Sequence, residues 1–315
     1  MRYVAGIDAG QSSTQAVVID ERGTVAGRGS AGPADHVDEP PGSTKFADAC
    51  REAVERALDA ANLPRDTVLE AVHAGLSGYD ERFDGAQPSL HAKLMRVEHD
   101  APVVLAAAVQ SRPAIVVIAG TGSVAYGENV ERACLRLGGW GYLFGDAGSA
   151  FAVARDALAF AMDEHDRGRT SALGDAALAF FDRRSLREIA TLALQGRITR
   201  AQLATFARVV HDAARLGDPD AGRIVEQAAA ALAELAAVMI ERLGLAERPV
   251  PVGLVGGAFA NDAFVERVRR LLGGLAPSAN AVRARYDPAI GAALLAFEDA
   301  EIGVPERITE RAAER

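Results

Sequence analysis

The sequence predicts an α/β protein of two related domains, and three observations support this prediction. Its 315 residues exceed the usual size of one domain. Apolar residues make up 49% and charged residues 24%, which is typical of a globular chain. A buried strand, a glycine-rich turn and a returning strand occur over Tyr3–Ile19 and again over Ala114–Tyr126. Such self-similarity indicates an internal duplication.

The first copy starts with the apolar strand Tyr3–Asp8, the turn Ala9–Ser13 and the strand Thr14–Ile19. Short apolar runs separated by turn residues are typical of a meander of hairpins. Helical spacing of apolar residues predicts the helix that comes next. The remaining predicted elements are a strand at Thr24–Gly29, a helix at Phe46–Ala61, a strand at Leu69–Leu76, a short helix at Ser89–Met95, a strand end at Leu94–Val97 and a helix at Ala101–Ser111.

The second copy has the strand Ala114–Ala119, the turn Gly120–Ser123 and a returning strand. A glycine-rich run, Gly138–Ser149, then opens a helix. Asp218 is the predicted cap of a later helix, because aspartate before a helical pattern satisfies free backbone N–H groups. The other predicted elements are a strand at Arg132–Leu137, helices at Ala150–His165, Ile189–Leu194, Thr199–Leu216 and Asp220–Leu243, a strand at Val250–Val255 and helices at Asp262–Leu272 and Ile290–Glu298.

These patterns predict domain boundaries close to residue 112. Residues 1–112 form the predicted N-terminal domain, and residues 113–287 form the C-terminal domain with a helical insertion. We expect the helix over 288–300 to pack back on the first domain. Residues 301–315 are charged and are predicted to be a weakly ordered tail.

Charge and cysteine content exclude several classes of function. The net charge is −9, whereas binding to nucleic acid depends on Lys and Arg that neutralise phosphates. Two cysteines, Cys50 and Cys134, are too few for a disulfide framework or a cysteine-rich zinc site. The first strand reaches Asp8 before a signal-peptide core is complete, and no apolar run is long enough to span a bilayer. We therefore expect a cytoplasmic protein without membrane or nucleic-acid partners.

The first glycine turn has the composition of a phosphate site. Glycine lets the backbone approach an anion, and successive N–H groups in a turn form an anion-binding concavity. A carboxylate at the strand end adds a ligand for Mg²⁺, held directly or through water. The alternative interpretation is a plain hairpin turn with a capping aspartate. The candidate phosphate and metal residues are Asp8, Gly10, Gln11, Ser12 and Thr14.

Two further glycine turns strengthen this interpretation. The turn of Gly120, Thr121, Gly122 and Ser123 ends a buried strand in the same way, so the two turns are predicted to hold one polyphosphate. Another turn, with Gly256, Gly257 and Ala258, offers a flat surface for an adenine. The P-loop, dinucleotide-binding and protein-kinase motifs do not occur in the sequence.

Single residues at strand ends are candidates for catalysis and substrate binding. Asp100 is the candidate general base for a hydroxyl, and its alternative role is a helix cap. Asp146 either caps the helix at Ala150 or binds a sugar hydroxyl. Trp140 either stacks on a sugar ring or packs in a core. Ser77 and Ser123 are further substrate candidates. The six histidines lack zinc-hydrolase spacing, so structural or surface roles are expected.

In these motifs the chain resembles the BadF/BadG/BcrA/BcrD ATPase family, and within it the N-acetylglucosamine kinases, over about residues 3–298. That family is part of the sugar kinase, heat-shock ATPase and actin superfamily. The resemblance is carried by Gly6–Ser12, Gly120–Ser123, Gly139–Ser149, Gly256–Ala258 and Pro288–Ala293.

The resemblance implies two ribonuclease-H-like domains that close over ATP and a sugar. It implies Mg-ATP as phosphate donor, an amino sugar phosphorylated at O6, and Asp100 as the catalytic aspartate. It also implies an adenosine site with Ala204 opposite Gly256–Ala258, and a possible homodimer. The implied sugar residues are Asp35, His36, Gly139, Trp140, Gly141 and Asp146.

Departures from the family pattern leave alternatives open. Asp35 stands in place of asparagine and Ala147 in place of glutamate, so glucosamine remains a candidate substrate, since a carboxylate prefers a cationic partner. His99 replaces the commoner Thr or Asn before the base. Two other functions remain as alternatives: an ATPase that activates a dehydratase through an iron–sulfur cluster, and a sensor without catalysis.

Overall fold

The computed structural model describes residues 1–34, 39–79 and 85–310. The chain divides into two compact parts: the first unit is Met1–Gln110 with Ala284–Arg315, and the second unit is Ser111–Arg283. The strands are β1 (Tyr3–Ala9), β2 (Thr14–Asp20), β3 (Thr24–Ala31), β4 (Val72–Leu76), β5 (Met95–His99), β6 (Ala114–Ala119), β7 (Ser123–Glu128), β8 (Cys134–Gly138), β9 (Val250–Val255), β10 (Ala279–Arg283) and β11 (Thr309–Glu310).

Helices surround both sheets and form most of the second unit. None of them, within the described residues, is long and apolar enough to cross a bilayer. The helices are α1 (Lys45–Ala60), α2 (Asp100–Ala108), α3 (Ala150–Asp166), α4 (Ala172–Phe181), α5 (Leu186–Leu194), α6 (Arg200–Thr205), α7 (Ala207–Arg215), α8 (Pro219–Arg242), α9 (Asp262–Leu275) and α10 (Pro288–Asp299).

In the described part of the first unit, the strands form one sheet in the order β11-β3-β2-β1-β4-β5. The strands β1, β2 and β3 are antiparallel neighbours, whereas β4 and β5 run parallel to β1. The crossover from β3 to β4 contains α1, as a parallel connection requires. The carboxyl ends of β1, β4 and β5 therefore lie at one edge, where Ala9, Leu76 and His99 are in register.

Helices cover both faces of the first sheet. Phe46 of α1 and Ile7 of β1 belong to the hydrophobic cluster on one face. Phe297 of α10 is fully buried in the cluster on the other face. A Cβ atom on Gly6 would lie 2.1 Å from the backbone nitrogen of Ala293. Glycine at this position therefore lets the α10 backbone contact β1 directly.

The second unit repeats this plan. Its sheet has the order β10-β9-β6-β7-β8, with β6, β7 and β8 antiparallel and with β9 and β10 parallel to β6. The turn after β1 joins Ala9 to Thr14, and the turn after β6 joins Ala119 to Ser123, each pair in register. The predicted fold class is thus confirmed, because both units are mixed α/β and have a ribonuclease-H-like order of strands. Asp218 is confirmed as the cap of α8, since its Oδ1 accepts the N–H of Ala221 at 2.8 Å.

Two predicted helices differ in the structure. The helix expected over Ser89–Met95 is wrong, because this backbone pairs with Leu69 instead of with itself. The N–H of Leu69 donates to the carbonyl of His91 at 2.8 Å, and the N–H of Lys93 donates to Leu69 at 2.9 Å. The single helix expected over Thr199–Leu216 is divided into α6 and α7 at Phe206, whose ring is fully buried.

The segment after Ile302 also differs from the expected tail. Ile302 and Ile308 are buried in the cluster that includes α10. Thr309–Glu310 forms β11, which pairs with β3, and Arg28 binds Glu310 at 2.7 Å. The high charge of the segment suggested disorder, but the two buried isoleucines and the pairing of β11 with β3 hold residues 302–310 on the first unit.

Candidate active site

The first glycine turn projects from the edge of the first sheet. The N–H of Gly10 donates to the carbonyl of Ser13 at 3.1 Å, which closes the turn. Gln11 and Ser12 at its tip are exposed, so their N–H and side-chain groups are accessible to a ligand. Thr14, a predicted phosphate ligand, is instead fully buried, and its hydroxyl donates to the carbonyl of Gly32 at 2.9 Å. Thr14 therefore holds the turn and does not face a ligand.

The charges of two carboxylates of the first unit act on a third, Asp8, at this edge. Burial, followed by the nearby charges of Asp100 and Asp287, raises the pKa of Asp8 from its ordinary value of 3.8 to about 6. Asp287 is itself fixed, since its Oδ1 accepts the N–H of Ile290 at 3.0 Å and its Oδ2 binds Arg28 at 2.9 Å. The free protein thus concentrates negative charge beside the first turn.

This charge suits a hard cation such as Mg²⁺, which prefers oxygen ligands. Among the residues that the structure describes, no cluster of three or more His, Cys, Asp or Glu side chains is arranged to hold a metal alone. Magnesium commonly binds through one or two carboxylates together with waters and phosphates of a nucleotide. Asp8 fits that mode, because a nearby cation would stabilise a carboxylate whose pKa is raised first by burial and then by the charges of Asp100 and Asp287.

Asp100 does not have the helix-cap role that was its alternative. The cap of α2 is His99, whose Nδ1 accepts the N–H of Ala101 at 3.0 Å. The Asp100 carboxylate lies 2.9 Å from the same Nδ1 and is 27% exposed. Asp100 is therefore left with an accessible carboxylate at the sheet edge that also carries Asp8.

The second turn, Gly120–Ser123, is tied to α3. The N–H of Ala150 donates to the carbonyl of Gly120 at 2.8 Å. Ser123, predicted to contact substrate, is buried, and its hydroxyl donates to the carbonyl of Ala147 at 2.8 Å. A Cβ atom on Gly122 would lie 2.8 Å from Asp146 Oδ2, so glycine is needed there. The turn is thus held from behind, and Ser123 has a structural role.

A pocket of about 690 Å³ opens beside this turn within the second unit. It brings together residues that are far apart in the sequence, among them most of the predicted adenosine set. Gly256 precedes the lining residue Gly257 and packs against the end of β6. It has φ of 107°, and a Cβ atom on it would lie 2.4 Å from the carbonyl oxygen of Ala119. The lining includes Gly120, Thr121, Ala204, Thr205, Arg208, His211, Gly257, Ala258 and Asn261.

The run Gly138–Ser149, which we name the Trp140 loop, has an exposed aromatic tip. Gly139 and Gly141 have φ of 69° and 80°, in the left-handed region that favours glycine. The side chains of Trp140 and Phe144 are 76% and 87% exposed. The alternative that Trp140 packs in a core is therefore wrong.

Asp146, near the end of the Trp140 loop, does not have the helix-cap role that was one of its two alternatives. Ser149 caps α3, accepting the N–H of Ala152 at 3.2 Å. The buried Asp146 carboxylate accepts the N–H of Ser123 at 3.2 Å and binds Arg200 at 2.7 Å. Both of its oxygens are engaged by the protein, so Asp146 joins the Trp140 loop to the second turn.

Comparison with known proteins agrees with this arrangement of turns and sheets. The model of the BadF/BadG/BcrA/BcrD ATPase family matches residues 5–296. The chain belongs to the BadF/BadG/BcrA/BcrD ATPase family.

Individual relatives cover most of the chain. An N-acetylmuramic acid/N-acetylglucosamine kinase of Clostridium acetobutylicum is 30% identical over 65% of this chain and 68% of its own. An N-acetyl-D-glucosamine kinase of Dictyostelium discoideum is 26% identical over 93% of this chain and 97% of its own. A solved structure from Chromobacterium violaceum, provisionally assigned as an N-acetylglucosamine kinase, is 28% identical with a TM-score of 0.73, over 94% of this chain and 99% of its own.

Not all residues predicted from the family pattern have an observed position. Ser77 lies directly after β4, and its N–H donates to the carbonyl of Ala9 at 2.9 Å, so it shares an edge with Asp8. Asp35 and His36, the predicted sugar pair, lie outside the described residues.

The cysteines of this family member do not resemble a cluster site. Cys50 is fully buried in the core of the first unit, and burial raises the pKa of its thiol. Cys134 is exposed on β8, in the second unit. A buried thiol in an apolar core is inert towards metal, since the thiolate is the ligand. The dehydratase-activator alternative therefore has no support from the cysteines.

Two residues of this region, His211 and Arg200, were not predicted from the sequence. His211 lines the pocket and packs edge-on against Phe264 at 4.9 Å, although the histidines were expected to have structural or surface roles. Burial and the charge of Arg267 lower the pKa of His211, which keeps its ring neutral. Arg200 reaches Asp146 across 54 residues of sequence. No local motif marks either residue, because only the folded chain brings their partners close.

Proposed function

We propose that this protein is an amino-sugar kinase that transfers the γ-phosphate of Mg-ATP to a sugar hydroxyl, with O6 as the acceptor. The observation that carries the proposal is the repeated strand–glycine turn–strand in the two units, with an aspartate before the first turn and a nucleotide-sized pocket beside the second. Relatives named as kinases of N-acetylglucosamine support the choice of an amino sugar.

In this proposal the two turns have different tasks. The tip of the first turn, with exposed Gln11 and Ser12, donates N–H groups to the terminal phosphates. The second turn, together with Gly257 and Ala258, surrounds the remainder of the nucleotide in the 690 Å³ pocket. Asp8 holds Mg²⁺, which when bound neutralises charge that develops on the transferred phosphate.

Asp100 acts as the general base. It accepts the proton of the sugar hydroxyl while that oxygen forms a bond to the γ-phosphorus, and the bond from phosphorus to the ADP oxygen breaks. Its support is an accessible carboxylate that is not used as a helix cap. Such a base contributes about 10²–10⁴ to a rate, and positioning and charge stabilisation supply the remainder.

The Trp140 loop would contact the sugar. An indole that is 76% exposed presents a flat face suited to stacking against the C–H face of a pyranose. Asp35 is the residue most able to select between an amine and an acetamide, since a carboxylate attracts a cation. Glucosamine is therefore a second candidate substrate beside N-acetylglucosamine.

Release of ADP tests the proposal directly. The purified protein is assayed with Mg-ATP and with glucosamine, N-acetylglucosamine, N-acetylmuramate and glucose in parallel, and the product is examined for the phosphorylated position. We expect ADP release that depends on an amino sugar and a 6-phosphate product. A sensor without catalysis would bind nucleotide and release no ADP with any of the four sugars, and that result would refute the kinase.

A further inference from the structure

Arg200 is the first residue of α6 and lies between the second turn and the Trp140 loop. Its Nη2 donates to Asp146 Oδ2 at 2.7 Å and to the carbonyl oxygen of Thr121 at 3.3 Å. One guanidinium thus contacts both a residue of the loop and a residue of the turn. Neither contact follows from a sequence motif, since Arg200 is 54 residues from Asp146 and 79 from Thr121.

Two aromatic rings hold this guanidinium in place. The Arg200 Cζ lies 5.0 Å from the ring centre of Tyr142 and 5.6 Å from that of Phe151. The two rings meet edge to face at 5.4 Å. A planar guanidinium can stack on rings while it binds a carboxylate, whereas a lysine ammonium has neither the plane nor the fork of donors. The site is therefore specific for arginine.

The partner carboxylate is itself constrained. Asp146 is buried and has φ of 60°, in the left-handed region that costs most non-glycine residues energy. Its Oδ1 accepts the N–H of Ser123 at 3.2 Å, while Oδ2 faces Arg200. A residue in this conformation persists when its surroundings determine its position, and here the Ser123 N–H and the Arg200 guanidinium each engage one carboxylate oxygen.

The helix that carries Arg200 also contacts the nucleotide pocket. A reciprocal cap fixes its start: Thr199 Oγ1 accepts the N–H of Gln202 at 3.2 Å, and Gln202 Oε1 accepts the N–H of Thr199 at 2.8 Å. One turn further on, Ala204 lines the pocket. A short helix with a rigid first turn thus links the pocket to Arg200.

We propose that Arg200 is a positioning residue that holds the second turn and the Trp140 loop in one arrangement, so that nucleotide and sugar are presented together. The inference rests on the proposed kinase function. The Asp146 carboxylate is buried, whereas the Arg200 side chain is 36% exposed. Stability alone does not require such a pair, because apolar side chains often replace even a fully buried ion pair without loss. What apolar side chains do not supply is the directed contact with a carboxylate and a carbonyl at the same time.

Four variants test this role. Arg200→Met keeps most of the apolar volume and removes the charge, and Arg200→Lys keeps the charge without the fork. Asp146→Asn and the double variant Arg200→Met/Asp146→Asn complete a cycle, and the double variant leaves no buried charge unpaired. The matched control is Arg167→Met, which removes an exposed arginine paired with Asp163 in the same unit.

Steady-state kinetics give the first result. We expect kcat to fall about 100-fold in Arg200→Met and about tenfold in Arg200→Lys, because small displacements of a reacting group cost that much. The KM for ATP should change less than about threefold, and a larger share of ADP release should become independent of sugar. The double variant should be no slower than Arg200→Met, since contacting residues are not additive. Fully additive losses would overturn the inference.

Amide hydrogen exchange gives a second result that does not depend on turnover. In Arg200→Met the amides of residues 139–148 should exchange faster, while Arg167→Met should match the wild type. Folded Arg200→Met with unchanged exchange and with kcat within about twofold of the wild type would refute the role. Sugar-dependent ADP release by the wild type decides the kinase proposal separately, because loop exchange reports on Arg200 even if no sugar is phosphorylated.

Discussion

Asp8→Asn should make the free protein more stable while it damages the site. The substitution keeps the shape of the side chain and removes one negative charge. In the native state that charge is desolvated and lies near Asp100 and Asp287, which is why the pKa of Asp8 is raised to about 6. The unfolded chain has no such surroundings, so the ionised carboxylate costs free energy only in the folded protein.

The size of the effect follows from the pKa. A difference of one in pKa between folded and unfolded states corresponds to about 1.4 kcal/mol. A rise of the Asp8 pKa from 3.8 to about 6 therefore corresponds to about 3 kcal/mol of destabilisation at neutral pH. Relaxation of the free site reduces this value, so we expect a gain of about 1–3 kcal/mol in Asp8→Asn. For a chain of 315 residues such a gain raises the Tm by about 2–5 °C.

The gain should depend on pH in one direction. Because the folded pKa of Asp8 lies above its unfolded value of 3.8, the native state is favoured while the group is protonated in both states. This contribution is complete below pH 3.8 and is lost as pH rises through about 6. The Asp8→Asn variant keeps this contribution at every pH, because asparagine carries no charge. The difference between variant and wild type should therefore be near zero at pH 4 and largest above pH 7.

Thermal and urea unfolding followed by far-ultraviolet circular dichroism measure this difference without nucleotide or Mg²⁺. Trp140 is the only tryptophan and is 76% exposed in the second unit, so its fluorescence reports poorly on the first unit. Asp66→Asn, which neutralises an exposed carboxylate of the first unit, is the matched control. Equal or lower stability of Asp8→Asn at pH 8, or a gain that is the same at pH 4 and pH 8, would refute the reasoning.

Other predictions address the base, a buried histidine and the exposed indole. Asp100→Asn should lower kcat at least about 100-fold while the Kd for ATP changes less than about threefold; near-normal turnover would place the base elsewhere. Burial lowers the pKa of His73, but hydrogen bonds to Asp299 at 2.7 Å and Glu98 at 2.9 Å outweigh burial and raise it above 6.5. The stabilisation by protonated His73 is complete below the pKa of the unfolded chain and is lost as pH rises through the pKa of the folded protein. The Tm of the wild type should therefore fall more than that of His73→Gln between pH 6 and pH 9. Parallel curves of Tm against pH would contradict this prediction. Trp140→Ala should raise the KM for the sugar about tenfold with little change in Tm, as kinetics and calorimetry will show; a large loss of Tm would indicate a packing role.

The glycine turns and the strands that precede them were predictable because their signals are local, whereas the sheet topology was implied by the family resemblance. Glycine at Gly10, Gly120 and Gly256 follows buried strands, and each position can be read within a few residues. The prediction of secondary structure was wrong where a contact with a distant residue determines the local conformation. Residues 89–95 pair with Leu69 instead of forming a helix, and Ile308 holds a segment that composition predicts to be disordered.

The candidate site was less predictable because its charges come from distant parts of the chain. Asp8 and Asp100 were identified from their strand ends, but the charge of Asp287 acts on Asp8 only because α10 packs on β1. Two hydroxyls expected to face ligand, those of Thr14 and Ser123, donate to backbone carbonyls instead. A sequence shows that a hydroxyl is near a turn, whereas its orientation depends on which carbonyl the fold leaves without a partner.

Two unfavourable features of this molecule lie at the places where ligands are proposed to bind. Asp8 is charged beside two other acids, and Asp146 is strained at φ of 60° in a position where glycine would cost less. Natural chains usually agree with local rules, and they depart from them where function requires it. Free energy that the apo protein loses at Asp8 is regained when a cation binds, so repulsion in the free site increases the gain on binding. The same logic predicts that substitutions which relieve either feature will stabilise the fold and lower the activity together, a trade-off that packing errors do not produce.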